Sequence, residues 1–104
     1  MKITAIKGFS DILPGEVETW IANGAQLLDT RDARSFAAAH WRGALNAGID
    51  GQFATWAGAI LDSARPVVLV TEPGREDESA RRLRRVGMDR IVGILSGGMV
   101  ALRD

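Results

Sequence analysis

The residues best placed to do chemistry lie in one short segment, which reads Thr71-Glu72-Pro73-Gly74-Arg75-Glu76. It offers a hydroxyl, two carboxylates and one guanidinium, but neither a thiol nor an imidazole. Residues 67–70 before it form a short apolar run, which predicts a strand buried on both faces. Residues 75–87 after it follow a helical pattern. Because a loop between a parallel strand and a helix exposes backbone N–H groups, this segment is the first candidate for a binding site.

The charges within this segment point in two directions. Arg75 follows Gly74 at the start of the predicted helix, where an anion would meet a guanidinium and free N–H groups. Glu72, Glu76 and Asp77 crowd the same place and oppose an anion. Binding of a small anion by residues 71–76 is therefore one hypothesis that the sequence leaves open.

The elements that must position this segment alternate along the chain. The patterns predict strands at residues 2–7, 26–29, 43–46, 67–70 and 90–95, with a loop at 8–11. They predict helices from Pro14 to Asn23-Gly24, after an Asp32 cap, after an Asp50 cap, over residues 75–87, and a final one beginning at residues 99–102. With 104 residues, this indicates a single α/β domain over residues 1–104. Its central sheet should be mostly parallel, of about five strands, with helices on both faces.

Helical spacing also predicts which side chains are buried. Phe53, Trp56, Ala57, Ile60 and Leu61 share one face, so the Phe53/Trp56 stripe should be core rather than an aromatic platform for a ligand.

The shorter helix after Asp32 should bury a face that ends at His40. The full face is Ala33, Phe36, Ala37 and His40. As the only histidine, His40 could be a general base, but it has no neighbouring nucleophile to serve. We expect it to pack at the end of its helix and to bond a backbone carbonyl.

The totals exclude several kinds of site. The chain has no cysteine, which excludes disulfides, thiolate metal sites and a cysteine nucleophile. With a single histidine and scattered carboxylates, we expect neither a metal nor a cofactor. The net charge is zero and no apolar run approaches membrane-spanning length, so neither nucleic acid nor membrane is an expected partner. The first ten residues lack the apolar run of a signal peptide, and a cytoplasmic location is expected.

Several short stretches, in order, resemble the rhodanese-like domain family between about residues 13 and 102. They are Leu28-Asp29-Thr30-Arg31, then His40-Trp41-Arg42-Gly43-Ala44-Leu45-Asn46, the central strand at 66–70, the helix end at 83–87 and Gly97-Gly98-Met99. The resemblance implies a rhodanese-like fold. It also implies that the family's structural motif is carried here by Asp29, Arg31, His40, Gly43, Asn46, Gly97 and Gly98.

The active-site loop departs from that family. In active members, the loop after the central strand begins with a cysteine that carries a persulfide, whereas Thr71 or Glu72 stands at that point here. The loop is also about one residue shorter, and Trp41-Arg42 replaces the usual Ile-Pro. A threonine hydroxyl cannot replace a persulfide-forming thiolate at neutral pH. We therefore expect no catalytic residue in this chain.

A narrower resemblance suggests a context. Residues 53–58 (Phe-Ala-Thr-Trp-Ala-Gly) and 72–76 (Glu-Pro-Gly-Arg-Glu) are similar to the cysteine-less rhodanese domains attached to metallo-β-lactamase-like hydrolases, including persulfide dioxygenase-type enzymes. This resemblance implies a metallo-β-lactamase-like or sulfurtransferase partner, fused or separate.

Three hypotheses of function follow. The leading one is a catalytically inactive rhodanese-like domain that acts as a structural, interaction or regulatory module in sulfur metabolism. The second is a thiosulfate or persulfide sulfurtransferase whose cysteine has been replaced in this chain. The third is a small-anion-binding module that uses residues 71–76. The Asp29/Arg31 pair could line such a site, but a structural hydrogen-bonded pair is the favoured interpretation. The sequence leaves open the partner, the oligomeric state and whether the chain is a whole protein.

Overall fold

The computed structural model describes residues 10–11 and 14–96 and shows one parallel sheet. The strands are β1 (Ser10–Asp11), β2 (Gln26–Asp29), β3 (Leu45–Asn46), β4 (Val67–Thr71) and β5 (Ile91–Ser96). Their order is β1-β5-β4-β2-β3, and every pair is parallel. The α/β prediction with about five strands is confirmed. The predicted strand at 2–7, Gly97, Gly98 and the predicted helix at 99–102 lie outside the described residues.

Within the described residues, four α-helices connect these strands. A 3-10 turn, Pro14–Glu16, leads into α1 (Val17–Ala22), and the others are α2 (Ala33–Ala38), α3 (Phe53–Ile60) and α4 (Glu76–Arg85). Gly24 and Gly87 end α1 and α4 with positive φ angles of 95° and 88°. In α4, the N–H of Met88 donates to the carbonyl of Leu83 while that of Gly87 donates to Arg84, which is a Schellman ending.

The sheet separates two apolar clusters. On the face covered by α3 and α4, Leu28 and Leu69 pack with Phe53, Ala57 and Leu83. On the opposite face, four strand residues pack with Val17 of α1 and with Trp41. These strand residues are Leu27, Val68, Val70 and Leu95. This arrangement confirms that β4 is buried on both faces, and it fixes the carboxyl ends of β2 and β4 side by side.

Two predictions about element bounds were wrong. Ser10 and Asp11 form β1, paired with Gly93 and Ile94 of β5, where a loop was predicted. The third strand is shorter than predicted, because Gly43 has a φ of +82° and lies in a turn closed by the Ala44 N–H and the Trp41 carbonyl. That turn places the start of β3 at Leu45.

Two predictions about helix caps and faces also failed. Asp50 does not cap α3: the N-cap is Gln52, without a side-chain hydrogen bond. The predicted inner face of α2 is not formed, since none of its residues is buried. With only 6 residues beyond the edge of the core, α2 is held by its Asp32 cap, whose carboxylate accepts from the Ser35 N–H at 2.7 Å.

The predicted core position of Trp56 was wrong as well. Phe53 and Ala57 are buried, but Trp56 is 56% exposed. Phe53 and Ala57 of α3 belong to the apolar cluster together with Leu61, which follows the helix, and Ile60 packs against that cluster, whereas Trp56 is not part of it.

Candidate functional site

A cleft of about 600 Å³ lies at the carboxyl ends of β2, β3 and β4. It is lined by residues 30–33 and 46–52, together with Trp56, Glu72 and Arg75. Cavities of this size and position in parallel α/β sheets are where ligands bind. The candidate site is therefore this cleft. Three loops form it, namely the loops that follow β2, β3 and β4, and Trp56 of α3 also lines it.

The floor of the cleft is fixed by a buried ion pair. Asp29 is fully buried, and its carboxylate accepts from Arg31 Nε at 3.0 Å and Nη2 at 2.7 Å, and from the Arg31 backbone N–H at 3.0 Å. Arg31 Nη2 also donates to the Ala39 carbonyl beyond α2, at 2.7 Å. The hydrogen bond to Asp29 raises the pKa of Arg31 above its usual value. Asp29 and Arg31 therefore form a structural hydrogen-bonded pair that joins β2 to α2, which is the interpretation that the sequence favoured. The guanidinium of Arg31 is engaged in these contacts.

The loop after β3 is joined to the loop after β2 by backbone and side-chain amide hydrogen bonds. Asn46 Nδ2 donates to the carbonyls of Asp29 at 2.9 Å and of Arg31 at 3.0 Å. The N–H of Ile49 donates to the Thr30 carbonyl. A Cβ on Gly48 would meet the Arg31 carbonyl oxygen at 3.4 Å. The loop after β3 is therefore packed tightly against the loop after β2, with little space for a larger residue.

The loop after β4 is a tight turn that ends at Arg75. The Arg75 N–H donates to the Glu72 carbonyl at 3.1 Å, with Pro73 and Gly74 between them and a φ of +89° at Gly74. These features are those of a type II turn, in which glycine relieves the strain of a positive φ. Pro73 lacks an N–H, and the Arg75 N–H is used within the turn. The loop thus offers few free amides to an anion.

The guanidinium of Arg75 bridges two carboxylates. Its Nη1 and Nη2 donate to Asp50 at 2.6 and 2.8 Å, and its Nε and Nη2 donate to Glu78 at 3.2 and 2.9 Å. These contacts raise the pKa of Arg75 and lower that of Asp50. Arg82 adds a 2.7 Å bond from α4 to the Ile49 carbonyl. The loop after β4 and the start of α4 therefore clamp the loop after β3.

Thr71 and Glu76, at the ends of the segment, do not line the cleft. Thr71 is the last residue of β4 and is fully buried, and its hydroxyl has no hydrogen-bond partner among the residues that the structure describes. Glu76 begins α4 and is 6% exposed. Pro73 and Gly74 are exposed on the turn. Of the six predicted residues, only Glu72 and Arg75 contribute to the cleft wall.

His40 and Gly43 serve the approach to β3, away from the cleft. His40 is exposed, its ring stacks on Phe36 with centroids 3.9 Å apart, and its Nδ1 lies 2.7 Å from the Phe36 carbonyl oxygen. The expected carbonyl contact is present, but the side chain is on the surface. Gly43 provides the turn before β3.

Trp56 is the cleft residue that the sequence reasoning assigned to the core. It lines the cleft from α3, with more than half of its surface exposed. The helix, which reads Phe-Ala-Thr-Trp-Ala-Gly-Ala-Ile, carries no signal for this placement, because the spacing of Trp56 is that of a core residue.

The charges of the cleft are unbalanced. Three carboxylates line it, Asp32, Asp50 and Glu72, against two guanidinium groups. Both guanidinium groups also bind a carboxylate from outside the lining, Asp29 for Arg31 and Glu78 for Arg75. Hydrogen bonding to the Ser35 backbone N–H lowers the pKa of Asp32, which favours its charged form. The cleft is therefore acidic.

Among the described residues, no three histidine, cysteine or carboxylate side chains are grouped to hold a metal ion. Within the same residues, none of the helices has the length and apolar character needed to cross a bilayer.

Similar domains are known in the Alr3790 protein of Anabaena sp. A crystal structure of its Rhodanese_3-like domain has 24% identity and a TM-score of 0.64, over 75% of this chain and 88% of that one. A second crystal structure of the protein has 24% identity and a TM-score of 0.67, over 85% and 78%. A solution NMR structure of its rhodanese-like domain has 21% identity and a TM-score of 0.69, over 85% and 66%. These likenesses show the same fold.

No curated protein matches the chain. The family model described as the rhodanese-like domain matches residues 13–104, which is most of the sequence. The chain therefore belongs to the rhodanese-like domain family.

Proposed function

We propose that this chain is a catalytically inactive rhodanese-like domain that acts as a structural, interaction or regulatory module. The observation that carries the proposal is the absence of cysteine from all 104 residues. Transfer of a sulfane sulfur in this fold requires a thiolate that can become a persulfide, and no other side chain here forms one at neutral pH.

The geometry of the loop supports the same proposal. Thr71, where the strand ends, is buried and does not line the cleft. Arg75, the one cation of the segment, is held by Asp50 and Glu78 and is not directed toward a free anion. Through Arg75, the loop after β4 holds the loop after β3 against α4. The loop therefore differs from a sulfur-binding loop in more than the replacement of one cysteine.

Sulfur transfer from thiosulfate to cyanide tests this proposal. The purified chain should form thiocyanate no faster than a protein-free sample, while a cysteine-containing rhodanese under the same conditions should be active. Thiocyanate formation well above background by this chain would overturn the proposal.

For the context of the module, we propose a metallo-β-lactamase-like hydrolase, in the same chain or as a separate protein. The support is the narrower sequence resemblance, together with the position of its two segments. Residues 53–58 supply Trp56, and residues 72–76 supply Glu72 and Arg75, to the lining of one cleft. The test is size-exclusion chromatography with light scattering on this chain mixed with a hydrolase of that class from the same genome. A mass equal to the sum of both supports the proposal; two separate peaks at micromolar concentration contradict it.

The hypothesis of an anion site receives less support from these contacts. An anion over residues 74 and 75 would have to compete with Asp50 and Glu78 for the guanidinium, in a cleft that already holds excess negative charge. The anion hypothesis can be tested by titration with sulfate or thiosulfate, followed by the amide NMR shifts of Gly74 and Arg75. Saturable shifts at low millimolar concentration would support an anion site.

A further inference from the structure

We infer that the cleft receives an arginine side chain from a partner protein. The inference rests on the proposed function in one respect: the cleft is free for a partner because it does not transfer sulfur. Three properties carry it, namely the charge of the walls, the exposed Trp56 and the uncharged surface beside it.

The charge of the walls favours a cation. Each arginine of the cleft already has its partners: Arg31 binds Asp29, and Arg75 binds Asp50 and Glu78. Glu72 is exposed, and it adds to the field that raises the pKa of Arg31. The negative charge that remains would be complemented by one guanidinium entering from outside.

Trp56 supplies the second property. The residue is 56% exposed and lines the same cleft as Glu72. A guanidinium stacks on an indole face while its N–H groups remain free to donate to a carboxylate. Lysine offers a compact charge without the flat stacking surface or the bidentate fork, so arginine fits this combination better.

The surface around Trp56 indicates a protein as the source of the arginine. α3 has 8 residues, none of them charged. Five are nonetheless exposed, namely Ala54, Thr55, Trp56, Gly58 and Ala59. Centres of protein interfaces are depleted in charged residues and enriched in aromatic ones. The cleft, at about 600 Å³, also has room for residues flanking the arginine. A partner segment would therefore lay apolar residues along α3 and direct its arginine toward Glu72.

The experiment uses the full chain and three synthetic peptides. The probe is acetyl-Gly-Leu-Arg-Leu-Gly-amide; the second peptide has citrulline, a neutral isostere, in place of arginine, and the third has glutamate. Binding is followed by ¹⁵N NMR at low salt, where the indole N–H of Trp56 and the amides of residues 46–52 report on the cleft. We expect saturable shifts confined to these signals. We also expect the citrulline peptide to bind at least about tenfold more weakly, and the glutamate peptide not to bind.

Variants distinguish the cleft from a general acidic surface. Trp56→Ala should weaken binding of the arginine peptide about tenfold, and Trp56→Phe should do so less, because phenylalanine retains part of the cation–π attraction. Glu72→Gln should weaken it about threefold, as expected for one partly exposed charge. Asp77→Asn is the matched control: it removes one exposed carboxylate from α4, outside the cleft, and should leave the affinity unchanged.

Three outcomes would overturn the inference: no saturable binding, equal affinity for the arginine and citrulline peptides, or an affinity for the arginine peptide that is unchanged in Trp56→Ala. Preserved signal dispersion shows that the variants are folded, as expected for a side chain that is largely exposed. These outcomes are separate from the sulfur-transfer assay. If the chain forms no thiocyanate and does not bind the peptide, only this inference is wrong. If the chain forms thiocyanate well above background, the proposed function is wrong.

Discussion

Thr71→Val should stabilise this domain, although it replaces a polar residue at the base of the family's active-site loop. The Thr71 side chain is fully buried, and within residues 10–11 and 14–96 its hydroxyl has no hydrogen-bond partner. A buried hydroxyl without a partner costs roughly 1–3 kcal/mol in proteins. Valine has almost the same shape and needs no partner, so we expect the free energy of unfolding to rise by about 1 kcal/mol, or the melting temperature by about 4 °C.

Thr30→Val provides a control that is matched in chemistry and burial. Thr30 is 2% exposed, but its hydroxyl lies 2.9 Å from Ser79 Oγ, which is itself fully buried. The same substitution here removes a hydrogen bond and leaves the Ser79 hydroxyl unpaired. It should therefore lower the free energy of unfolding by about 1–2 kcal/mol.

Urea unfolding followed by circular dichroism at pH 7 and 25 °C measures both variants against the wild type. The prediction is a difference in sign between two identical substitutions, which errors in extrapolation do not produce. If Thr71→Val destabilised the domain as much as Thr30→Val, the Thr71 hydroxyl would have a polar role, and the reasoning about this loop would be refuted.

Two further predictions concern the ion pairs of the cleft. Arg31→Ala should destabilise the domain by about 3 kcal/mol, because it leaves the buried carboxylate of Asp29 without its guanidinium; a loss below about 1 kcal/mol in urea unfolding would contradict the proposed role of the pair. The pKa of Asp50, measured by carbon NMR, should lie below its ordinary value of 3.8 and return toward it in Arg75→Ala. Since the folded pKa is depressed, the stabilisation from this pair should be present above pH 4 and lost as the pH falls through the folded pKa. An unchanged pKa in Arg75→Ala would show that the clamp does not form in solution.

The parts of the fold that depend on local sequence were predictable. The run Val67–Val70 identified the central strand. The acids at the start and the arginines at the end of 76–85 identified α4, and Gly24 and Gly87 marked the ends of their helices. Asp29 and Arg31 are two residues apart, so their pairing is also a local property.

The parts decided by tertiary contacts were not predictable. Asp50 looked like a helix cap, but its carboxylate binds Arg75, which is 25 residues away in sequence. Thr71 looked like the first residue of a loop, but it pairs with Ser96 and extends β4 into the core. Trp56 has helical spacing typical of a core residue, but it lines the cleft.

A thiol added to the loop after β4 should not be activated. Thiolate reactivity requires a depressed pKa, which free N–H groups and nearby positive charge provide. In Thr71→Cys the thiol would be buried beside Glu72, and in Glu72→Cys it would precede Pro73, which has no N–H, and lie near an Arg75 already bound to two carboxylates. Its pKa, measured by pH-dependent alkylation, should be near or above the ~8.5 of free cysteine.

The rate of thiocyanate formation from thiosulfate and cyanide by Glu72→Cys and Thr71→Cys tests the central claim most directly. In an active loop, the thiolate attacks the outer sulfur of thiosulfate, sulfite leaves, and cyanide removes that sulfur from the persulfide. We predict that both variants turn over no faster than the cysteine-free chain, because the loop has become a structural clamp. Robust turnover by either variant would show that these residues still form a working sulfur site.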